Sequence, residues 1–97
     1  MPFRDYELMF IVRPDVGNEV ARDRAAHYRD MVEELGGTVN NLDEWGTRRL
    51  AYTIDDFDEG YYVLVEFAGD EDLTKEMDRR IKLDDTVIRF MLIRQED

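Results

Sequence analysis

The sequence has 97 residues, 43% of them hydrophobic and 11% aromatic, which is enough for one packed core and too short for a second. With no cysteine, neither a disulfide framework nor a thiolate metal site can form. The net charge of −11, from 13 basic and 24 acidic residues, argues against broad, non-specific attraction to polyphosphate, because that attraction depends on cationic neutralisation.

Taken in chain order, Phe3 to Val12 alternates apolar and polar residues and stops before Pro14, so it predicts a strand. Asn18 is a candidate N-cap for a helix whose inward face is Ala21, Ala25, Tyr28, Val32 and Leu35, ended by "ELGG". Thr38 to Ile54 is rich in β-formers and interrupted near Gly46, which predicts a long strand with a bulge or a twist there. "DDFDEG" reads as a turn, and Tyr61 to Ala68 as the second arm of a hairpin. Asp70 or Asp72 can cap a helix that buries Leu73, Met77 and Ile81, and Thr86 to Arg94 predicts the last strand. The order β-α-β-β-α-β is that of an α+β ferredoxin-like plait over residues 1–97: a four-stranded antiparallel sheet with both helices on one face. The first and third strands are then central.

The N-terminus carries one basic residue before a short run interrupted by Asp5 and Glu7, so it reads as neither a signal peptide nor a membrane span, and the expected location is the cytoplasm.

Catalysis finds little material. The chain has no serine or cysteine, its one histidine, His27, falls beside the buried helix face, and no carboxylate pair stands out. No catalytic residue, cofactor or metal site is expected. Asp55, Gly60 and Glu66 occupy the first, sixth and twelfth places of an EF-hand calcium loop, but Phe57 at the third cannot ligate, and a strand follows where a helix is required. Gly60 and Tyr61 fit part of an RNA-recognition-motif strand, while Glu59, Tyr62, Val63 and Glu66 depart from it. A single-strand RNA-binding module of this topology therefore stays an alternative, as does a dimeric small-molecule regulatory domain.

The outer sheet face carries more. If Tyr6, Leu8, Phe10 and Val12 face the helices, then Met9, Ile11, Tyr62, Leu64, Met91 and Ile93 point away beside Arg89, an apolar set on a face that should be polar. Arg48 and Arg49 project to opposite faces of an edge strand. Taken singly, each suggests a cross-strand ion pair with Glu66 or Asp43; together they form a surface suited to phosphate or to a partner's backbone.

"RDYELMFIVRPD", "DEWGTRRLAYTI", "GYYVLVEF" and "VIRFMLIR" resemble the bacterial small-subunit ribosomal protein S6 family over nearly the whole chain, with Trp-Gly-x-Arg-Arg-Leu-Ala-Tyr-x-Ile as the specific part. The resemblance implies the plait fold, no catalysis, a place on the small-subunit platform beside the central domain of the rRNA, and pairing with the small ribosomal protein S18. Arg48 and Arg49 match the family's basic pair, and Tyr6, Leu50, Tyr52 and Gly60 match positions that look structural. Many members continue into a long charged tail where this sequence stops at "RQED", so no contact from such a tail is expected. On this reading Arg48, Arg49, Arg89, Arg94, Lys82 and Arg4 are the candidate rRNA contacts. Met9, Ile11, Tyr62, Leu64, Met91 and Ile93 are the candidate partner contacts, with Met91→Asp and Ile11→Asp expected to leave the domain folded.

Overall fold

The computed structural model describes residues 3–95. The elements are β1 (Arg4–Val12), a single 3-10 turn (Pro14–Val16), α1 (Asn18–Glu34), β2 (Thr38–Ile54), β3 (Phe57–Gly69), α2 (Glu71–Lys82) and β4 (Val87–Arg94). The strands form one antiparallel sheet in the order β2-β3-β1-β4, so β1 and β3 are central and β2 and β4 are edges. This is the expected ferredoxin-like plait. Of the expected "RQED" end, Glu96 and Asp97 lie outside the described residues.

Alternation along the two central strands builds the core. Leu8, Phe10 and Val12 of β1 and Val63, Val65 and Phe67 of β3 are completely buried, and they meet Ala21, Ala25, Tyr28 and Val32 of α1 and Leu73, Met77 and Ile81 of α2. Burying each of the larger side chains contributes about 1.5–3 kcal/mol. Phe90 and Leu92 of β4 pack half-buried on the same cluster, so both helices cover one face of the sheet.

The helix ends show why the chain turns where it does. Gly17, not Asn18, is the N-cap of α1, and Asn18 is already helical. After the 3-10 turn the backbone must pass through φ +87° to enter the helix, a conformation glycine adopts without steric penalty. At the other end Gly36 takes φ +91°, the Gly37 N–H donates to Val32 O at 2.8 Å and the Gly36 N–H to Glu33 O at 3.1 Å, closing a Schellman motif. Asp70 caps α2 by accepting the Leu73 N–H at 2.9 Å, which decides between the two expected caps.

One polar cluster ties α1 to the connection after α2. The Tyr28 hydroxyl donates to Asp84 Oδ2 at 2.7 Å, Asp84 Oδ1 accepts from both the Thr86 hydroxyl and the Thr86 N–H, and Arg24 lies 3.6 Å from Oδ2. Burial alone would raise the Asp84 pKa, but the hydrogen bonds from Thr86 and Tyr28 and the charge of Arg24 outweigh it, so the carboxyl sits below its ordinary value.

The β2–β3 hairpin departs from expectation at its tip. Only Asp55 and Asp56 form the turn, with φ of +51° and +68°, and Phe57 already pairs with Ile54. Two successive positive-φ residues are the requirement of a two-residue hairpin turn whose twist matches the strands, and aspartate tolerates that region. The rest of "DDFDEG" therefore joins β3. With Gly60 inside a strand opposite Arg48, the calcium-loop spacing has no loop to act in.

Candidate functional site

Strand β2 does not run in simple register with β3. Asn40 is an extra residue between the pairs Val39–Phe67 and Asn41–Glu66, and Trp45 is another between Glu44–Val63 and Gly46–Tyr62. Gly46 takes φ +80° there, so of the bulge or twist expected at this glycine the strand carries a bulge. Between the pairs Arg49–Glu59 and Ile54–Phe57, β2 advances five residues while β3 retreats two. This surplus lets the end of β2 bend over the outer face of the sheet.

The arginine pair sits just before that bend. Arg48 is opposite Gly60 and Arg49 opposite Glu59, so the two project to opposite faces, and both are exposed. The expected cross-strand ion pairs are absent among the described residues. Glu66 lies six positions along β3 from Gly60, about 20 Å from Arg48, and accepts from Asn41 Nδ2 at 3.4 Å, while Asp43, five residues before Arg48, accepts from Trp45 Nε1 at 3.1 Å. Arg48 and Arg49 thus present guanidinium groups with no ion-pair partner in the described structure.

On the outer face, Met9 lies between Leu64 and Met91, and Ile11 between Tyr62 and Arg89, as the alternation predicted. Met91 is 48% and Ile93 43% exposed, while Met9, Tyr62 and Leu64 are half-buried. Ile11 requires a correction. It is on the predicted face but only 6% exposed, because the bent end of β2 covers it. Leu50, Tyr52 and Ile54 line a shallow hollow of about 180 Å³ together with Met9, Ile11 and Arg89, and a Cβ at Gly60 would collide with Ile11 Cγ2. Ile11 therefore belongs to a small second cluster, and Ile11→Asp cannot leave the fold intact.

The remaining candidate cations do not extend the arginine pair into one strip. Arg89 bonds the Tyr52 hydroxyl through Nη1 and lies 5.7 Å from the Tyr52 ring centroid. Arg94 pairs with Tyr6 across β1–β4, on the helix-covered side, and borders a groove with Thr74, Lys75 and Asp78. Lys82 is at the end of α2 and ion-paired with Asp78 at 2.7 Å, and Arg4 is exposed at the start of β1 opposite Gly69. The four positions that looked structural have visible work: Tyr6 stacks on Phe67 at 5.7 Å, Leu50 is buried, Tyr52 holds Arg89, and Gly60 makes room for Ile11.

Sequence reasoning passed over Trp45. Its ring is parallel to Tyr62 within 8° at 5.9 Å, on the outer face two positions from Gly46's neighbour Thr47 and three from Arg48. The signal that could have found it is the glycine bulge, which places two successive residues on one face and so breaks simple alternation.

The model of the family described as ribosomal protein S6 matches residues 5–94. The chain belongs to the ribosomal protein S6 family. Among its relatives, the small ribosomal subunit protein bS6 of Clostridium botulinum (strain Hall) is 44% identical over 93 residues, covering 96% of this chain and 99% of its own length. That of Thermoanaerobacter pseudethanolicus is 40% identical over 94 residues, covering 97% and 99%. The crystal structure of 30S ribosomal protein S6 from Thermotoga maritima superposes with a TM-score of 0.92 at 28% identity, over 97% of this chain and 89% of that one. The C-terminal domain of the MgtC protein from Mycobacterium tuberculosis, at a TM-score of 0.64 and 13% identity, shares the fold alone. The family is one of ribosomal structural proteins rather than enzymes.

Proposed function

We propose that the protein is a constituent of the small ribosomal subunit that binds the central domain of the small-subunit rRNA jointly with the small ribosomal protein S18, in the cytoplasm and without catalysis. The observation that carries this reading is the family match across residues 5–94, with full-length relatives named as small ribosomal subunit proteins. The geometry is compatible with it. Arg48 and Arg49 offer unpaired guanidinium groups on an edge strand, and Met91 and Ile93 offer exposed apolar surface at the opposite edge of the outer face. Phosphate contacts from arginine position a protein on RNA, while apolar side chains serve a protein partner.

Dispersed cations and a net charge of −11 leave the chain poorly equipped to hold RNA by itself, so a basic partner completes the site. Arg48 and Arg49 are the principal phosphate contacts in this proposal, with Arg89, Arg94, Lys82 and Arg4 as peripheral ones. Met9, Tyr62, Leu64, Met91 and Ile93 form the S18 face. Sedimentation tests the reading: the protein should travel with the small subunit after a high-salt wash. A free symmetric dimer in the same gradient would instead support the small-molecule regulatory alternative.

A further inference from the structure

We infer that Trp45 and Arg48 form a two-point seat for one unpaired RNA nucleotide, its base stacked on the indole and its phosphate against the guanidinium. This deepens, and rests on, the RNA-binding reading above. The bulge at Gly46 puts Trp45 and Arg48, three residues apart, on one outer face, where the Tyr62 ring backs the indole in parallel at 5.9 Å and the Nε1–H bond to Asp43 Oδ2 at 3.1 Å fixes its rotation. The residue is 38% exposed, and its second face has no ring or cation partner among the described residues. An aromatic ring already oriented loses little rotamer freedom when a ligand stacks on it.

Arg48 shares that face. It lies two residues beyond Gly46, about 7 Å along a strand, so a cation stands within one nucleotide's reach of the stacking surface. The nearby acids narrow the site further: Asp43 is occupied by the indole N–H, and Glu44 points to the other face, where it accepts from the Tyr61 hydroxyl at 3.1 Å. One arginine on a face whose nearest carboxylate, Asp43, is already occupied favours a single phosphate over a continuous backbone track. RNA supplies such a ligand where loops and bulges splay their bases, and base–aromatic stacking tolerates any base. The apolar face assigned to the protein partner is most exposed at Met91 and Ile93 of β4, the far edge of the sheet, and meets the seat only at Tyr62, whose ring the indole covers.

The test is binding of the protein with S18 to a central-domain rRNA fragment over a range of salt concentrations. Trp45→Leu, which keeps apolar bulk but removes the stacking face, should weaken RNA binding by about five- to a hundredfold with an unchanged salt slope. Arg48→Gln should lower the slope by about one. Binding to S18 without RNA should be unaltered by Trp45→Leu. A second readout needs no substitution: 5-fluorotryptophan in this chain gives one fluorine resonance, since Trp45 is its only tryptophan, and that resonance should shift when RNA joins the protein pair. Wild-type RNA affinity in Trp45→Leu, an equal loss of S18 binding, or an unmoved resonance would each overturn the seat while leaving the RNA-binding reading standing. Failure of the wild-type pair to bind the fragment would remove that reading and the seat with it.

Discussion

Arg89 on β4 donates a hydrogen bond from Nη1 to the hydroxyl of Tyr52 on β2, although these two strands are the opposite edges of a four-stranded sheet. Three strand spacings separate such edges by about 14 Å in a flat sheet. The contact exists because the surplus residues between Arg49 and Ile54 carry the end of β2 back across the outer face. Tyr52, itself 61% exposed, acts as a clasp over the small cluster of Ile11, Leu50 and Met9.

The clasp predicts a measurable coupling. In a double-mutant cycle of Tyr52→Ala and Arg89→Ala, read by urea denaturation, the interaction should be about 0.5–1 kcal/mol, the range for an exposed cation–π pair. A coupling indistinguishable from zero would mean that the end of β2 lies over the sheet without being held there.

Ile11 and Met91, both apolar and both on the outer face, should respond differently to substitution. Ile11→Ala should cost about 2 kcal/mol or more, and Ile11→Asp should unfold the domain or nearly so, because Ile11 is 6% exposed and a carboxylate there has no partner. Met91→Asp should leave the melting temperature nearly unchanged, since Met91 is 48% exposed, yet weaken binding to S18 by more than tenfold in calorimetry. Full S18 binding by Met91→Asp would move the docking surface to the β2 edge.

The difference between Ile11 and Met91 shows where the sequence was readable. Alternation in β1, β3 and β4 placed Leu8, Phe10, Val63, Val65, Phe90 and Leu92 inward and Met9, Tyr62, Leu64 and Met91 outward, and the 3.6-residue spacing found Ala21, Ala25, Tyr28 and Val32 of α1 and Leu73, Met77 and Ile81 of α2. Face and burial are separate properties, however. Whether an outward residue is covered depended on three surplus residues in β2, and no periodicity encodes a departure from register. The same limit hid that Trp45 shares a face with Arg48, while the missing ion pairs of Arg48 and Arg49 follow from register: Glu66 is opposite Asn41, six positions along β3 from Gly60 and about 20 Å from Arg48, and Asp43 is five residues back along β2.

Those unpaired arginines should matter little to stability. Arg48→Ala and Arg49→Ala should each change the unfolding free energy by less than about 0.5 kcal/mol, as expected for surface substitutions without a bound partner. The double substitution should lower the salt slope of RNA binding by the assembled pair. Unchanged slope and affinity would mean that neither arginine touches phosphate.

Asp84 predicts a dependence on acid pH. Its folded pKa is depressed, so its contribution is fully present above the unfolded value near 3.9 and disappears as pH falls through the lower folded value. Glu76, held at about 2 by hydrogen bonds from Arg79 and Arg80, acts in the same direction. Stability measured from pH 5 down to about pH 2 should therefore fall less steeply in Asp84→Ala than in the wild type. At neutral pH that variant should lose about 1–3 kcal/mol, because the buried Tyr28 hydroxyl is left without its acceptor. Parallel pH profiles would show that Asp84 is not a depressed group.

The central claim is that this acidic chain binds rRNA as one half of a protein pair, and filter binding to central-domain rRNA at physiological salt tests it most directly. The protein alone should bind poorly, and addition of S18 should improve its retention at least tenfold, because the partner supplies the basic surface this chain lacks. Nanomolar affinity for the protein alone, or no gain on adding S18, would contradict it.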